Sequence, residues 1–168
     1  MASDYRGRVR LLVFFMALCC GLSPAALAQT AQQKSVFTAR DASVLLRQIN
    51  DGLVVRQSGK VLQAFDLVKM RDGALFRQQI TSFLSHTDSI RMHFNITNAT
   101  IDGEKGTATV DAEMEADSGD GNTPPLHKQA TLRFVAEHAG AGWKFTDVQP
   151  RNFFSTSSAP SHQSAPPQ

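Results

Sequence analysis

The sequence predicts an α+β domain in which N-terminal helices pack on a strongly curved antiparallel sheet of four or more strands, with an apolar pocket between the layers. Two observations lead there. Apolar residues recur at helical spacing as far as Leu84, and beyond His86 the period changes from 3.6 to 2. Three glycine-bearing loops then divide the stretch from Ile90 to Val148 into four alternating segments, the pattern of a meander.

The 168 residues allow one domain of ordinary size plus extensions. Residues 1–28 read as a secretory signal: a basic run through Arg10, an apolar run from Leu11 to Leu22, and small residues ending in Ala26-Leu27-Ala28. That apolar run is shorter than the roughly 20 residues a membrane span needs, so cleavage before Gln29 and an exported, periplasmic or secreted product are expected. A retained N-terminal anchor, and acylation of Cys20, are the alternatives. Against acylation, Ala17-Leu18-Cys19 lacks the small-residue pattern of a lipobox.

Cleavage removes Cys19 and Cys20, which excludes disulfides and thiolate metal sites. Setting aside Asp4, Arg6, Arg8 and Arg10 leaves 14 basic and 14 acidic residues of interspersed sign. Such a balance argues against a nucleic-acid surface, which needs clustered Lys and Arg on one face.

Residues 29–39 are small and polar and read as a linker to a domain over residues 40–154. Asp41 is the expected N-cap of a first helix through Gln57, with Val44, Leu45, Ile49, Leu53 and Val54 on its apolar face and Gly52 weakening its middle. A short helical turn over Lys60 to Phe65 follows, and Asp66 to Met70 reads as an extended piece. Asp72 and Gly73 open another helix whose Phe76, Ile80, Phe83 and Leu84 form one stripe.

In the first strand Ile90, Met92, Phe94 and Ile96 face inward, with Arg91, His93, Asn95 and Thr97 outward. A loop over Asp102 to Gly106 leads to the clearest strand. There Ala108, Val110, Ala112, Met114 and Ala116 alternate with Asp111, Glu113, Glu115 and Asp117. A loop over Ser118 to Pro125 precedes Ala130, Leu132, Phe134 and Ala136, and Ala139 to Gly142 leads to a last strand over Trp143 to Val148. From Ser155 the chain is rich in Ser, Pro and Gln, a composition that cannot bury enough surface to order itself. The sequons at Asn95 and Asn98 fall in or beside a strand and carry little weight.

This order of elements, with Gly142-Trp143-Lys144-Phe145 on the last strand and Pro150-Arg151-Asn152-Phe153-Phe154 after it, resembles the nuclear transport factor 2-like superfamily, the cystatin-like cone shared with polyketide cyclases. It resembles in particular exported bacterial members without assigned function. The resemblance implies a cone of helices on the concave side of the sheet and a pocket between them. Phe65, Phe76, Phe83, Met92, Phe94, Met114, Phe134 and Trp143 are its expected lining. Isomerases, dehydratases, cyclases and non-enzymatic binding or dimerisation modules share that fold, so the fold alone does not set an activity.

Enzymes of that superfamily place an Asp, His or Tyr inside the pocket, where burial moves its pKa toward the working pH. In this chain the inward rows of the three clearest strands contain no ionisable residue. The acidic row from Asp111 to Asp117 is expected outward, offset by Lys128 and Arg133 on the adjoining strand. Three catalytic candidates remain: Asp66 at the mouth of the helical layer, His93 on a strand, and Asp147 in phase with Trp143 and Phe145. Against them stand a turn role for Asp66, a surface role for His93 and an Arg151 pair for Asp147. His86, His127, His138 and His162 have no metal-ligand spacing, and neither a metal nor another cofactor is called for.

The resulting expectation is a non-enzymatic domain that binds a small apolar ligand or a protein partner in the cell envelope. An isomerase or cyclase-type enzyme with Asp66 or Asp147 as base is one alternative. A homodimer joined through outward sheet faces is the other.

Overall fold

The computed structural model describes residues 36–118, 122–140 and 142–156. The expected signal segment, most of the linker and nearly all of the Ser/Pro/Gln tail lie outside the described residues. Among the described residues three helices, α1 (Ala39–Val54), α2 (Ser58–Leu62) and α3 (Gly73–Ser85), precede four strands, β1 (Thr87–Asp102), β2 (Lys105–Ser118), β3 (Leu126–Ala139) and β4 (Gly142–Gln149). A 3-10 turn, Arg151–Phe154, follows them.

The cap of α1 is Thr38, not Asp41. The Thr38 hydroxyl accepts the Asp41 N–H, and the Asp41 carboxylate accepts the Thr38 N–H at 2.9 Å, so each side chain satisfies the otherwise unpaired amide of the other residue. The helix ends at Val54 rather than Gln57. Its buried face is Ala42, Leu45, Leu46, Ile49, Gly52 and Leu53, while Val44 and Val54, expected inside, are 57% and 56% exposed. Gly52 is a packing residue rather than a weak point: a Cβ there would lie 2.5 Å from the backbone N of Val61, so only glycine lets α2 cross this closely.

The short helix sits earlier than expected, over Ser58–Leu62, which leaves Phe65 free to bridge the sheet. Asp66 donates its N–H to the Phe145 carbonyl at 2.8 Å and Phe145 donates to the Ala64 carbonyl at 2.9 Å. Asp66 to Met70 is therefore not extended but turns away from the sheet, and the Asp66 carboxylate accepts the N–H groups of Val68 and Lys69 at 3.1 and 3.2 Å. Phe76, Ile80, Phe83 and Leu84 of α3 are all buried, as their spacing predicts.

The sheet is a meander in the order β1-β2-β3-β4 with every neighbouring pair antiparallel. Register shifts at Thr87/Ser89, Ile96/Asn98 and Val135/Ala136 place bulges in it, and bulges sharpen local twist and bend. Across its concave face Phe134 and Phe145 stack with centroids 4.6 Å apart, and Phe65 meets Phe76 edge-on at 4.9 Å. Phe153 and Phe154 turn back under the helices and are buried, with Phe154 edge-on to Phe76.

Replacement of Gly52 by Ala is expected to destabilise the domain by about 1–3 kcal/mol, because the clash with the Val61 backbone outweighs the better helix propensity of alanine. Urea unfolding of the two proteins measures it, and a more stable variant would show that α1 and α2 are not in close contact.

Candidate functional site

The interior of the domain is occupied by side chains. Among the residues expected to line a pocket, Phe65, Phe76, Phe83, Met114 and Phe134 are each 5% exposed or less and pack into one continuous core with Phe145 and Phe154. Trp143 is half-buried and packs edge-on against Phe37 with centroids 5.0 Å apart. Met92 and Phe94 are also half-buried. They border a gap of about 220 Å³ between α1 and β1, shared with Ser43, Leu46, Arg47, Asn50, His93 and Ile96.

One ionisable side chain does enter the concave side. Lys128 is half-buried and in phase with Ala130, Leu132 and Phe134, because β3 begins at Leu126 rather than near Ala130. Its register partner is Met114, an inward residue, so it does not offset the acidic row as expected. The ammonium donates to the carbonyls of Asn152, Phe153 and Ser155 at 3.0, 3.3 and 2.6 Å, backbone acceptors at the end of the short 3-10 turn. Burial pushes its pKa below the usual lysine value. From the other side the Gln79 amide donates to the carbonyls of Arg151 and Phe154. The two side chains thus clamp the segment that carries Phe153 and Phe154 into the core. Alternation continued from Ala130 back to Lys128 is the sequence signal that locates this residue.

The three candidate catalytic residues stand apart from that interior. Asp66 is half-buried, and one of its carboxylate oxygens, Oδ1, accepts both N–H groups of the turn described above. Burial pushes the Asp147 carboxyl up, but hydrogen bonds from Arg151 and Gln149 and the Arg151 charge outweigh it and hold the group below the usual carboxylate range. Arg151 reaches it at 2.7 Å and donates also to the Arg71 carbonyl, so Asp147 is an anchor for the C-terminal turn and a poor base. His93 is exposed on the outer face of the sheet, opposite Glu113.

The acidic row is outward, and its partners are other outward residues. Asp111 accepts from the Thr131 hydroxyl at 2.8 Å, Glu113 from Gln129 at 3.1 Å, Glu115 from Arg91 at 2.7 Å, and Asp117 from Ser89. On the rim, Glu137 lies between Lys69 at 3.1 Å and Lys105 at 3.4 Å. The hydrogen bond and charge of Lys69, with help from Lys105, keep its pKa low against the effect of burial.

A cleft of about 660 Å³ opens where α2, the turn after Phe65, α3, the end of β3 and the start of β4 meet. Leu62, Phe65, Leu67 and Val68 supply its apolar surface, and Asp66, Arg77 and Lys144 its charges. Val68 is 96% exposed there. Lys144 donates to the Gln63 carbonyl. No group of three His, Cys, Asp or Glu side chains that could hold a metal exists among the described residues. No described helix is long and apolar enough to cross a membrane.

Comparison with known structures identifies the fold. A nuclear transport factor 2-like superfamily protein from Salmonella enterica superimposes with a TM-score of 0.58 at 11% identity, covering 65% of this chain and 86% of that one. A proposed scytalone dehydratase from Novosphingobium aromaticivorans gives 0.56 at 9% identity, over 65% and 79% of the two chains. A hexachlorocyclohexane dehydrochlorinase gives 0.51 at 12% identity, over 65% and 80%. The chain therefore has the nuclear transport factor 2-like fold, as the order of its elements suggests. No family model matches the sequence, and no curated protein matches it.

Two measurements probe the C-terminal clamp. Lys128→Met keeps the volume but removes the ammonium from the carbonyls of Phe153 and Ser155 and leaves the Asn152 carbonyl with the Ser155 hydroxyl alone, and is expected to lower stability by about 1–3 kcal/mol in urea unfolding. For Asp147 the folded-state pKa is depressed, so its stabilising contribution is complete above the unfolded value of about 3.9 and fades as pH falls through the folded one. Asp147→Asn should accordingly be less stable than the parent at pH 7, with the difference shrinking on acidification. A gap that widens toward low pH would contradict the Arg151 pair.

Proposed function

We propose that this chain is an exported, non-enzymatic binding domain that takes a small ligand with an apolar body in the open cleft beside Asp66. One observation carries the reading: Leu62, Phe65, Leu67 and Val68 gather apolar surface around an opening of about 660 Å³, within the roughly 300–1,000 Å³ of ordinary small-molecule sites. The state of the candidate bases supports it. Asp147 is held as a carboxylate by Arg151, Asp66 is committed to its turn, and His93 lies on the outer face of the sheet. Export rests on the pattern of residues 1–28. Arg77 and Lys144 at the cleft favour ligands whose polar end is neutral or anionic over cationic ones.

The second reading is a lyase- or isomerase-type enzyme with Asp66 as general base. It is favoured by the place of Asp66 on the wall of the cleft and by the names of two similar structures, a proposed dehydratase and a dehydrochlorinase.

A thermal-shift series with medium-chain fatty acids and naphthyl carboxylates separates the two. Ligand at about 100 times Kd adds about 2.7 kcal/mol of stability. The binding reading expects a saturable rise in Tm that Leu62→Asp removes and Asp66→Asn leaves in place. No shift with any of these probes would count against it, and turnover abolished by Asp66→Asn would establish the enzyme instead.

A further inference from the structure

The two edges of the sheet are finished differently. The outer edge of β4 is bridged by residues 64–66 through the paired hydrogen bonds with Phe145. β1 forms the other edge, and among the described residues nothing pairs with its outer side. A strand with open N–H and C=O groups is a template for another strand, and proteins usually blunt it with Lys, Pro or a covering segment. β1 is 16 residues long, contains neither Lys nor Pro, and carries no charge from Phe94 through Ile101. Its concave-side residues Met92, Phe94, Ile96, Ala99 and Ile101 remain only partly covered by the core.

We infer that this edge is an interface for a second copy of the chain, two β1 strands pairing antiparallel about a two-fold axis near Thr97 and joining two four-stranded sheets into one. The strand is self-complementary in that arrangement. The bulge at Ile96/Asn98 shifts the alternation by one residue, so the inward row runs Met92, Phe94, Ile96 and then Ala99, Ile101. Directly opposite residues of an antiparallel pair share a face. With the axis between Ile96 and Thr97, Met92 stands opposite Ile101 and Phe94 opposite Ala99, which closes the apolar row from one copy to the next. On the outer face the same register sets Arg91 opposite Asp102, the two charges that flank the uncharged stretch. The two-fold repeats each of these contacts. At the axis itself Ile96 stands opposite the bulged Thr97, so the change of phase falls at the two central pairs, and the pairs on either side of it match in face.

This interface differs from pairing of the outward sheet faces, and the choice of variants distinguishes them. Sedimentation equilibrium of the exported chain at low ionic strength is expected to show a concentration-dependent dimer. Arg91→Glu and Asp102→Arg should each weaken it about tenfold, since each sets two like-charged pairs face to face. An equimolar mixture of those two variants should recover the dimer, because every cross-strand pair is then of opposite sign. Ile96→Lys, an inward charge at the centre, should abolish it, with circular dichroism confirming that the variants are folded. A monomer at every concentration would overturn the inference. So would a dimer that these substitutions leave unchanged and that Glu113→Arg, on the outer face, dissociates.

Discussion

The concave face of the sheet has to be covered, and three short helices do not suffice. β1, β2 and β3 are 14 to 16 residues long and present a mainly apolar row on one side, interrupted in β3 by Lys128. α1 spans one part of that surface and α3 another, while α2 is only 5 residues. The remaining area is covered by the C-terminal turn, whose Phe153 and Phe154 insert beneath the helices. The rest of the architecture follows from that requirement. Lys128 and Gln79 hold the turn by its carbonyls, Arg151 ties it to Asp147, and Phe76 packs against both Phe65 and Phe154.

That solution has a functional consequence. A cone of this kind can hold a ligand in its interior only where side chains leave space, and here phenylalanines from four different elements fill it. Accessible apolar surface remains at the margins instead: the cleft around Val68 and the partly covered inner row of β1. The ionisable groups near the interior work for the fold. Lys128 neutralises the carbonyl end of a turn, and Asp147 holds the arginine that anchors it. Both roles need the charged form, the opposite of a general acid or base poised to exchange its proton.

Much of this could be read from residue spacing. The alternation in Ala108 to Ala116 and the stripe Phe76, Ile80, Phe83 and Leu84 depend on period alone, and a buried face imposes its period on any sequence that satisfies it. Positions where the outcome depends on a neighbour were not legible in that way. Val44 and Val54 have helical spacing but lie beyond the reach of the sheet. Gly52 looks like a weak helical residue until Val61 is placed against it. Lys128 has inward phase only if the strand extends back to Leu126, and the carbonyls that make its burial tolerable are contributed from residues 152–155.

The sequence by itself determined the elements, their order and the two faces of the meander, because these rest on local periodicity and on turn residues. The tertiary structure decided which inward residues fill the interior, where an opening is left, and which carboxylates are already committed. Those outcomes depend on distances between segments far apart in the chain: Phe65 to Phe145, Lys128 to Ser155, Arg151 to Arg71. Periodicity sets the direction in which a side chain points. Only packing sets what it meets there.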